Sequence, residues 1–327
     1  MEQQNYRIVV INSSSFAKHY PSHLRRLENI GPVTFLSVDG DMRGKALAKR
    51  VQDYNIIIAS VTPFFDQEFF AYKQDVLLIS RHGIGYNNID LEAAKKTNTK
   101  VSIVSPLVER DAVAENAIAN LFAIMRQLPE AKKAAQENRW SDRAQFLGNN
   151  LSGKTVGIIG CGNIGTRTAE IMKYGFHCHV LICDPAIDKK WMKKHDMKLT
   201  SLDDLLAASD IISLHASLNE TSKNILSKEA FQKMKRGVYI CNTARGALVD
   251  ETAMCQALDE KIVKGFASDV MIQEPANNKH PYFAYDNVLI TPHTSAYSDE
   301  CLEGMGNKCV EDVENLVEDG EIICRVA

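Results

Sequence analysis

The sequence predicts an α/β protein with doubly wound parallel sheets arranged in two domains. Apolar runs of strand length alternate with helix-compatible segments along nearly the whole chain, and the alternation is interrupted once, by a long helical stretch, before it restarts. With 327 residues, 45% of them hydrophobic, the chain can bury the cores of two medium domains.

The first hundred residues carry four apolar runs, YRIVVI, YNIIIAS, DVLLIS and KVSIVS, separated by polar segments such as LEAAKKTN. That is a strand–helix–strand rhythm. The stretch ERDAVAENAIANLFAIMRQLPEAKKAAQENR follows, with Val113, Ala117, Ile118, Leu121, Ile124 and Met125 at helical spacing, and predicts one long helix able to bridge two domains. Beyond LGNNLSG the rhythm resumes through KTVGIIG, HVLICD, IISLHA, VYICNT, GFASDV and NVLITPH, six strand candidates with helices between most of them. A last helix is predicted from Asp299 to Val317, and the tail EIICRV is placed to return to the first domain.

Composition narrows the function classes. A formal net charge of -3, without a basic stripe interleaved with aromatics, argues against nucleic acid as a partner. The segment from Met1 to Val10 carries Glu2 and lacks a signal-peptide core, and no apolar run approaches the roughly 20 residues of a bilayer span, so a soluble cytoplasmic protein is expected. The eight cysteines form no paired CxxC and read as free thiols; Cys178, His179 and Cys183 lie close together without a fourth ligand, and no metal is expected.

The cofactor is read from GIIGCGNIGTRTAEIM. Gly160, Gly162 and Gly165 form a GxGxxG array after a strand and at the head of a helix: Gly160 for the tight turn, Gly162 for approach to a pyrophosphate, Gly165 for close helix packing. The next strand ends in Asp184, 19 residues beyond Gly165, where a carboxylate accepts hydrogen bonds from ribose hydroxyls and repels a 2′-phosphate. The set points to a dinucleotide, and to NAD rather than NADP. A second glycine loop, RHGIGYNNID, lacks the third glycine; its amides at Gly83 and Ile84 suit a small anion, and a strand-to-helix turn needing glycines for steric reasons accounts for it equally well.

Three ionisable residues stand at predicted strand ends of the second half: Arg245 in NTARGALVDE, Glu274 in SDVMIQEP and His293 in LITPHTSAYS. Singly they fit a surface ion pair, a turn acid before Pro275 and a loop histidine. In a doubly wound sheet the carboxyl ends of the strands line one crevice, so together they predict a site.

These motifs, in this order and over most of the chain, resemble the D-isomer-specific 2-hydroxyacid dehydrogenase family. The resemblance implies a Rossmann NAD domain, residues 105 to 298, inserted in a flavodoxin-like substrate domain built from residues 1 to 104 and 299 to 327, and a homodimer held largely by the NAD domains. It implies that Arg245 binds the carboxylate of a 2-keto acid and polarises its carbonyl, that His293 is the acid/base, and that Glu274 pairs with His293. Asp269 matches the residue that holds the nicotinamide carboxamide; Asn163, Ile164, Ala216, Ser217, Thr243 and Ala244 fall on cofactor-contacting positions. Arg81, His82, Gly83 and Ile84 fall near the substrate.

The chain departs from the pattern at Asn87-Asn88, where the family usually has Asp-Asn, and at Ser217, which stands for a proline. Members acting on phosphoglycerate resemble one another in a basic residue after the second strand; here the chain reads IASVTPFF, which favours an unphosphorylated substrate. The chain also shows no C-terminal regulatory extension. The expected activity is reversible reduction of a small 2-keto acid to the D-2-hydroxy acid with NADH. The alternatives are phosphoglycerate dehydrogenase-type activity, a non-enzymatic NAD-sensing module, and formate- or phosphite-oxidising relatives, the formate type carrying Gln where this chain has Glu274.

Overall fold

The computed structural model describes residues 5–327. Residues 1 to 4, which open the segment read as lacking a leader, lie outside it. The chain divides into two compact units, one of residues 1–109 with 297–327, the other of residues 110–296.

The first unit is built on a parallel sheet of β1 (Ile8–Ile11), β2 (Val33–Leu36), β3 (Ile56–Ala59), β4 (Leu78–Arg81) and β5 (Lys100–Ser102), in the order β2-β1-β3-β4-β5. That is the flavodoxin-like order. Its strands are apolar on both faces, as a sheet covered on both sides requires. Val9, Ile11, Ile57 and Ile79 enter one core, while Ile8, Val10, Ile56, Ile58 and Leu78 enter the other with Cys309, Val310 and Val313 of the helix Asp299–Val317. The tail returns alongside β5, where Val326 N donates to Val101 O at 2.8 Å. β2 was not expected: it is a half-exposed edge strand following Gly31 and Pro32, with Phe35 49% exposed, and shows no buried apolar run.

The second unit carries β6 (Thr155–Ile159), β7 (His179–Cys183), β8 (Lys198–Leu199), β9 (Ile211–Leu214), β10 (Val238–Asn242), β11 (Val263–Ser268) and β12 (Val288–Ile290), all parallel in the order β12-β11-β10-β9-β6-β7-β8. Strand order reverses between β6 and β9, and the ends of these two strands flank the switch point where doubly wound sheets bind ligands. β8 is the strand beyond the six expected; two exposed edge residues give no periodic signal.

The single long helix expected across residues 109 to 139 is two helices, Pro106–Met125 and Leu128–Gln136. The apolar spacing continues, but Gln127 adopts φ 51° and Pro129 opens the second helix, where its missing N–H costs nothing. The chain passes from one unit to the other within the first of these helices. No helix among the described residues is long and apolar enough to cross a membrane.

Candidate active site

The glycine turn follows β6 directly. Gly160 has φ 85°, and a Cβ there would lie 2.3 Å from Ala216 N; a Cβ on Gly165 would lie 2.1 Å from Gly160 O. Both glycines are therefore forced by backbone packing between the turn, the end of β9 and the helix Asn163–Glu170. Gly162 is different: its φ is -74°, and a Cβ would meet nothing within 4 Å. Neither strain nor packing within the chain asks for glycine there, whereas a close-lying ligand would.

The helix Asn163–Glu170 begins at Gly162 with no side-chain cap, so its first amides, including those of Asn163 and Ile164, form an anion seat with the helix dipole behind it. Asp184 stands beside the turn: one carboxylate oxygen accepts from Cys161 N and the other from Ala186 N, both at 2.7 Å. Two amides fix its position and leave lone pairs for hydroxyl donors. Ala216 and exposed Ser217 follow β9 through His215, whose ring burial pushes down to about 4 and therefore keeps neutral. Thr243 and Ala244 follow β10. The Thr243 hydroxyl is buried with no hydrogen-bond partner among the described residues, an orphan that a bound group would satisfy.

Asn242, which the sequence reading passed over, shapes this turn. Its buried side chain accepts from Ala244 N at 3.0 Å and donates to Arg245 O at 2.9 Å, bridging the three residues between. Gly246 then packs against the strand-end segment of β11, since a Cβ there would lie 2.2 Å from the Met271 carbonyl carbon. This close approach brings the Arg245 loop to the segment that carries Glu274. The Arg245 guanidinium donates to Ala244 O at 2.6 Å.

Glu274 and His293 are paired. His293 Nδ1 lies 2.7 Å from Glu274 Oε2, and the other carboxylate oxygen accepts from Met271 N at 2.8 Å. Burial pushes the Glu274 carboxyl upward, but the hydrogen bond and charge of His293, the Met271 amide and the nearby Arg245 outweigh it and hold its pKa below the ordinary value. With Nδ1 committed to Glu274, Nε2 is the ring nitrogen left for proton transfer.

His293 itself sits at φ 55°, a conformation that a non-glycine residue keeps only when its surroundings insist. Asp269 supplies that insistence. Its main-chain oxygen accepts from His293 N at 2.9 Å, and its buried carboxylate accepts from Thr291 Oγ1 at 2.6 Å, Thr294 N at 2.9 Å and Ser295 N at 2.7 Å. Ser295 is in turn hydrogen-bonded to Asn116 at 2.9 Å. Thr291 and Asn116 are supports without any sequence signature, because their meaning depends on partners 22 and 179 residues away.

In the first unit, Arg81 and His82 end β4 with both side chains buried. Arg81 Nη1 donates to His82 O at 2.6 Å, and His82 packs edge-on to Phe16 with ring centroids 5.5 Å apart. Burial, aided by the charges of Arg81 and His23, pushes His82 down to about 3, so it is neutral. Gly83 has φ 147°, its amide donates to Arg81 O at 2.9 Å, and Ile84 N donates to Glu109 Oε1 at 3.0 Å. Asn88, buried, ties the loop to the IASVTPFF segment by donating to Ser60 O and Pro63 O.

Comparison with known proteins agrees with this architecture. The family profile described as "D-isomer specific 2-hydroxyacid dehydrogenase, NAD binding domain" matches residues 118–295. The chain is 34% identical over 281 residues to the D-3-phosphoglycerate dehydrogenase of Archaeoglobus fulgidus, a match covering 86% of this chain and 53% of that protein. It is 34% identical over 265 residues to the glyoxylate reductase of Thermofilum pendens, covering 79% of this chain and 77% of that one. The chain spans about half the length of the phosphoglycerate dehydrogenases it matches. Among solved structures, the TT0316 protein of Thermus thermophilus has a TM-score of 0.87 at 29% identity, covering 98% of this chain and 100% of that chain. The D-lactate dehydrogenase of Aquifex aeolicus, solved with NAD and lactic acid, has a TM-score of 0.83 at 26% identity, covering 95% and 96%.

The fold and the glycine turn define a two-unit α/β chain with a dinucleotide-binding domain. The chain belongs to the D-isomer specific 2-hydroxyacid dehydrogenase family, and NAD is its cofactor. The open Gly162, the uncapped helix, the Asp184 carboxylate and the orphan Thr243 hydroxyl all fit that cofactor.

Proposed function

We propose that this chain is an NAD-dependent dehydrogenase that reversibly reduces a small unphosphorylated 2-keto acid to the D-2-hydroxy acid, acting in the cytoplasm as a homodimer. The observation that carries the catalytic assignment is the 2.7 Å pair of His293 and Glu274, with Arg245 close enough to depress the Glu274 pKa. The homodimer and the compartment rest on the family resemblance alone.

NAD would be held by Gly160, Gly162, Asn163, Ile164 and Gly165 at its pyrophosphate, by Asp184 at the adenosine ribose, and by Ala216, Ser217, Thr243, Ala244 and Asp269 along the rest of its length. When bound, the cofactor supplies or accepts a hydride. Arg245 grips the substrate carboxylate with its planar fork and stabilises the negative charge that grows on the carbonyl oxygen. His293 delivers a proton from Nε2 to that oxygen in reduction and takes it back in oxidation, while Glu274 stabilises the imidazolium. Asp269 holds the loop on which His293 stands, in addition to its expected nicotinamide contact. Arg81 and His82, both buried, support the Gly83–Ile84 loop from beneath.

The preference for an unphosphorylated substrate is supported by the segment after β3, whose residues 60 to 65 carry no cation. The neighbouring Arg43 stacks on Phe64 and faces Asp41. The glyoxylate reductase relative, matched over three quarters of its length, points the same way. A panel of glyoxylate, pyruvate, hydroxypyruvate, phenylpyruvate, branched 2-keto acids and 3-phosphohydroxypyruvate, assayed with NADH and NADPH, tests the reading. NADH oxidation with an unphosphorylated acid should exceed that with 3-phosphohydroxypyruvate; the reverse order would refute the substrate class, and no oxidation with any member would refute the activity.

A further inference from the structure

We propose that Glu109 is a specificity-determining residue that makes the substrate loop of the first unit select against 2-keto acids bearing a second anionic group. The inference rests on the dehydrogenase reading above and adds to it the residue and the charge rule by which the substrate is chosen.

Three observations carry it. The loop at residues 83 and 84 offers two backbone donors, and neither is spare: Gly83 N is bound to Arg81 O and Ile84 N to Glu109 Oε1. The partner of Ile84 N is itself a carboxylate, so the loop is a working anion seat, and the anion seated there belongs to the chain. The seat is also rigid. Val104 N donates to Gly83 O at 3.1 Å, a Cβ on Gly83 would lie 2.8 Å from Arg81 Nη1, and Glu109 stands half-buried in the first turn of the helix Pro106–Met125, which fixes its reach.

A two-amide loop left open would welcome a phosphate or a second carboxylate. With Glu109 seated, the same loop presents a negative charge to whatever lies before it. A monocarboxylate substrate, its one anionic group directed to Arg245, brings no second charge to the loop. A dianionic substrate must either dislodge Glu109 from Ile84 N or accept like-charge repulsion. The consequence is selection against malate-type and phosphate-bearing skeletons and for small acids whose remaining substituent is neutral. Buried Arg81 does not offset this from the same loop end, because Nη1 is spent on the His82 and Ala59 carbonyl oxygens.

The test is Glu109→Gln, which keeps the shape and an acceptor for Ile84 N but removes the charge. Oxaloacetate and 2-oxobutanoate share a four-carbon chain and differ in one carboxylate, and kcat/KM is measured for each with NADH in wild type and variant. The ratio of oxaloacetate to 2-oxobutanoate should rise about tenfold or more in the variant. An unchanged or lower ratio would overturn the proposal while leaving the dehydrogenase reading intact; if wild type turned over neither acid nor any other 2-keto acid, that reading would fail and the proposal with it. Should Glu109→Gln fail to fold, the wild-type ratio is followed against salt. Screening of a repulsive loop raises the ratio with ionic strength, and a ratio that falls would show that the second carboxylate meets cations, contrary to the proposal.

Discussion

Two glycine turns follow strands in this molecule, one in each unit, and they have opposite outcomes. In the turn after β6, Gly160 and Gly165 are consumed by backbone packing, Gly162 faces open space, and the helix behind it starts without a cap. In the loop after β4, Gly83 is required by its own φ of 147°, and the two amides that an anion would use are already bonded to Arg81 O and Glu109. A glycine turn announces a ligand when its donors are left over and its glycine has no structural reason. The first turn meets both conditions, whereas the second is filled from within, which suits a selecting role better than a gripping one.

The sharpest way to break this comparison is at the glycines themselves. Gly160→Ala would drive a Cβ to 2.3 Å from Ala216 N at a positive φ, and should cost several kcal/mol, enough to lower the expression and melting temperature of the protein markedly. Gly162→Ala meets nothing within the chain and should leave the melting temperature without NADH close to wild type while weakening NADH binding, measured by fluorescence titration. Equal melting losses for the two variants would contradict the assignment of Gly162 to a ligand.

The next effects separate the chemistry of the second unit from the selection of the first. His293→Ala should lower kcat on the order of 10²-fold or more, because a positioned proton donor is lost. Arg245→Ala should raise KM and lower kcat together, since it binds the ground state and stabilises the developing charge still more; Arg245→Lys should restore only part of either. A variant of Arg245 that changed KM alone would reduce it to a carboxylate anchor.

A smaller effect is expected at the coenzyme. Asp184→Ala should narrow the preference for NADH over NADPH by removing both the ribose acceptor and the repulsion of a 2′-phosphate. Because its carboxylate also receives the amides of Cys161 and Ala186, the variant should lose some thermal stability as well. A wild-type kcat/KM higher with NADPH than with NADH would show that Asp184 has been misread.

Much of this was legible in the sequence because it is local. The turn at Gly160, the acid at Asp184 and the strands feeding them are written within 30 residues, and the buried strands of parallel sheets stand out as apolar runs. What escaped was either weak or distant. Val33–Leu36 and Lys198–Leu199 are edge strands whose partial exposure erases the apolar signal. The break at Gln127 lies in one residue's φ, which the apolar spacing of the helix conceals. Arg81 and His82 look like substrate cations by position, yet burial makes His82 neutral and turns the Arg81 guanidinium to main-chain oxygens. Glu109 carries no motif at all; its meaning arises only from contact with Ile84, 25 residues earlier.

The central claim is that His293 and Glu274 act as one acid/base unit, and Glu274→Gln measures it most directly. The substitution keeps the shape of the pair and removes the charge that favours the imidazolium, so the proton of His293 is held less tightly. Reduction needs the protonated ring; its rate should therefore fall off at lower pH in the variant than in wild type, with the kcat profile displaced toward acid. Such a displacement is what the 2.7 Å contact between Nδ1 and Oε2 predicts. A profile that stays where it is, with activity near wild type, would mean that Glu274 only caps the turn at Met271 and that His293 works without it.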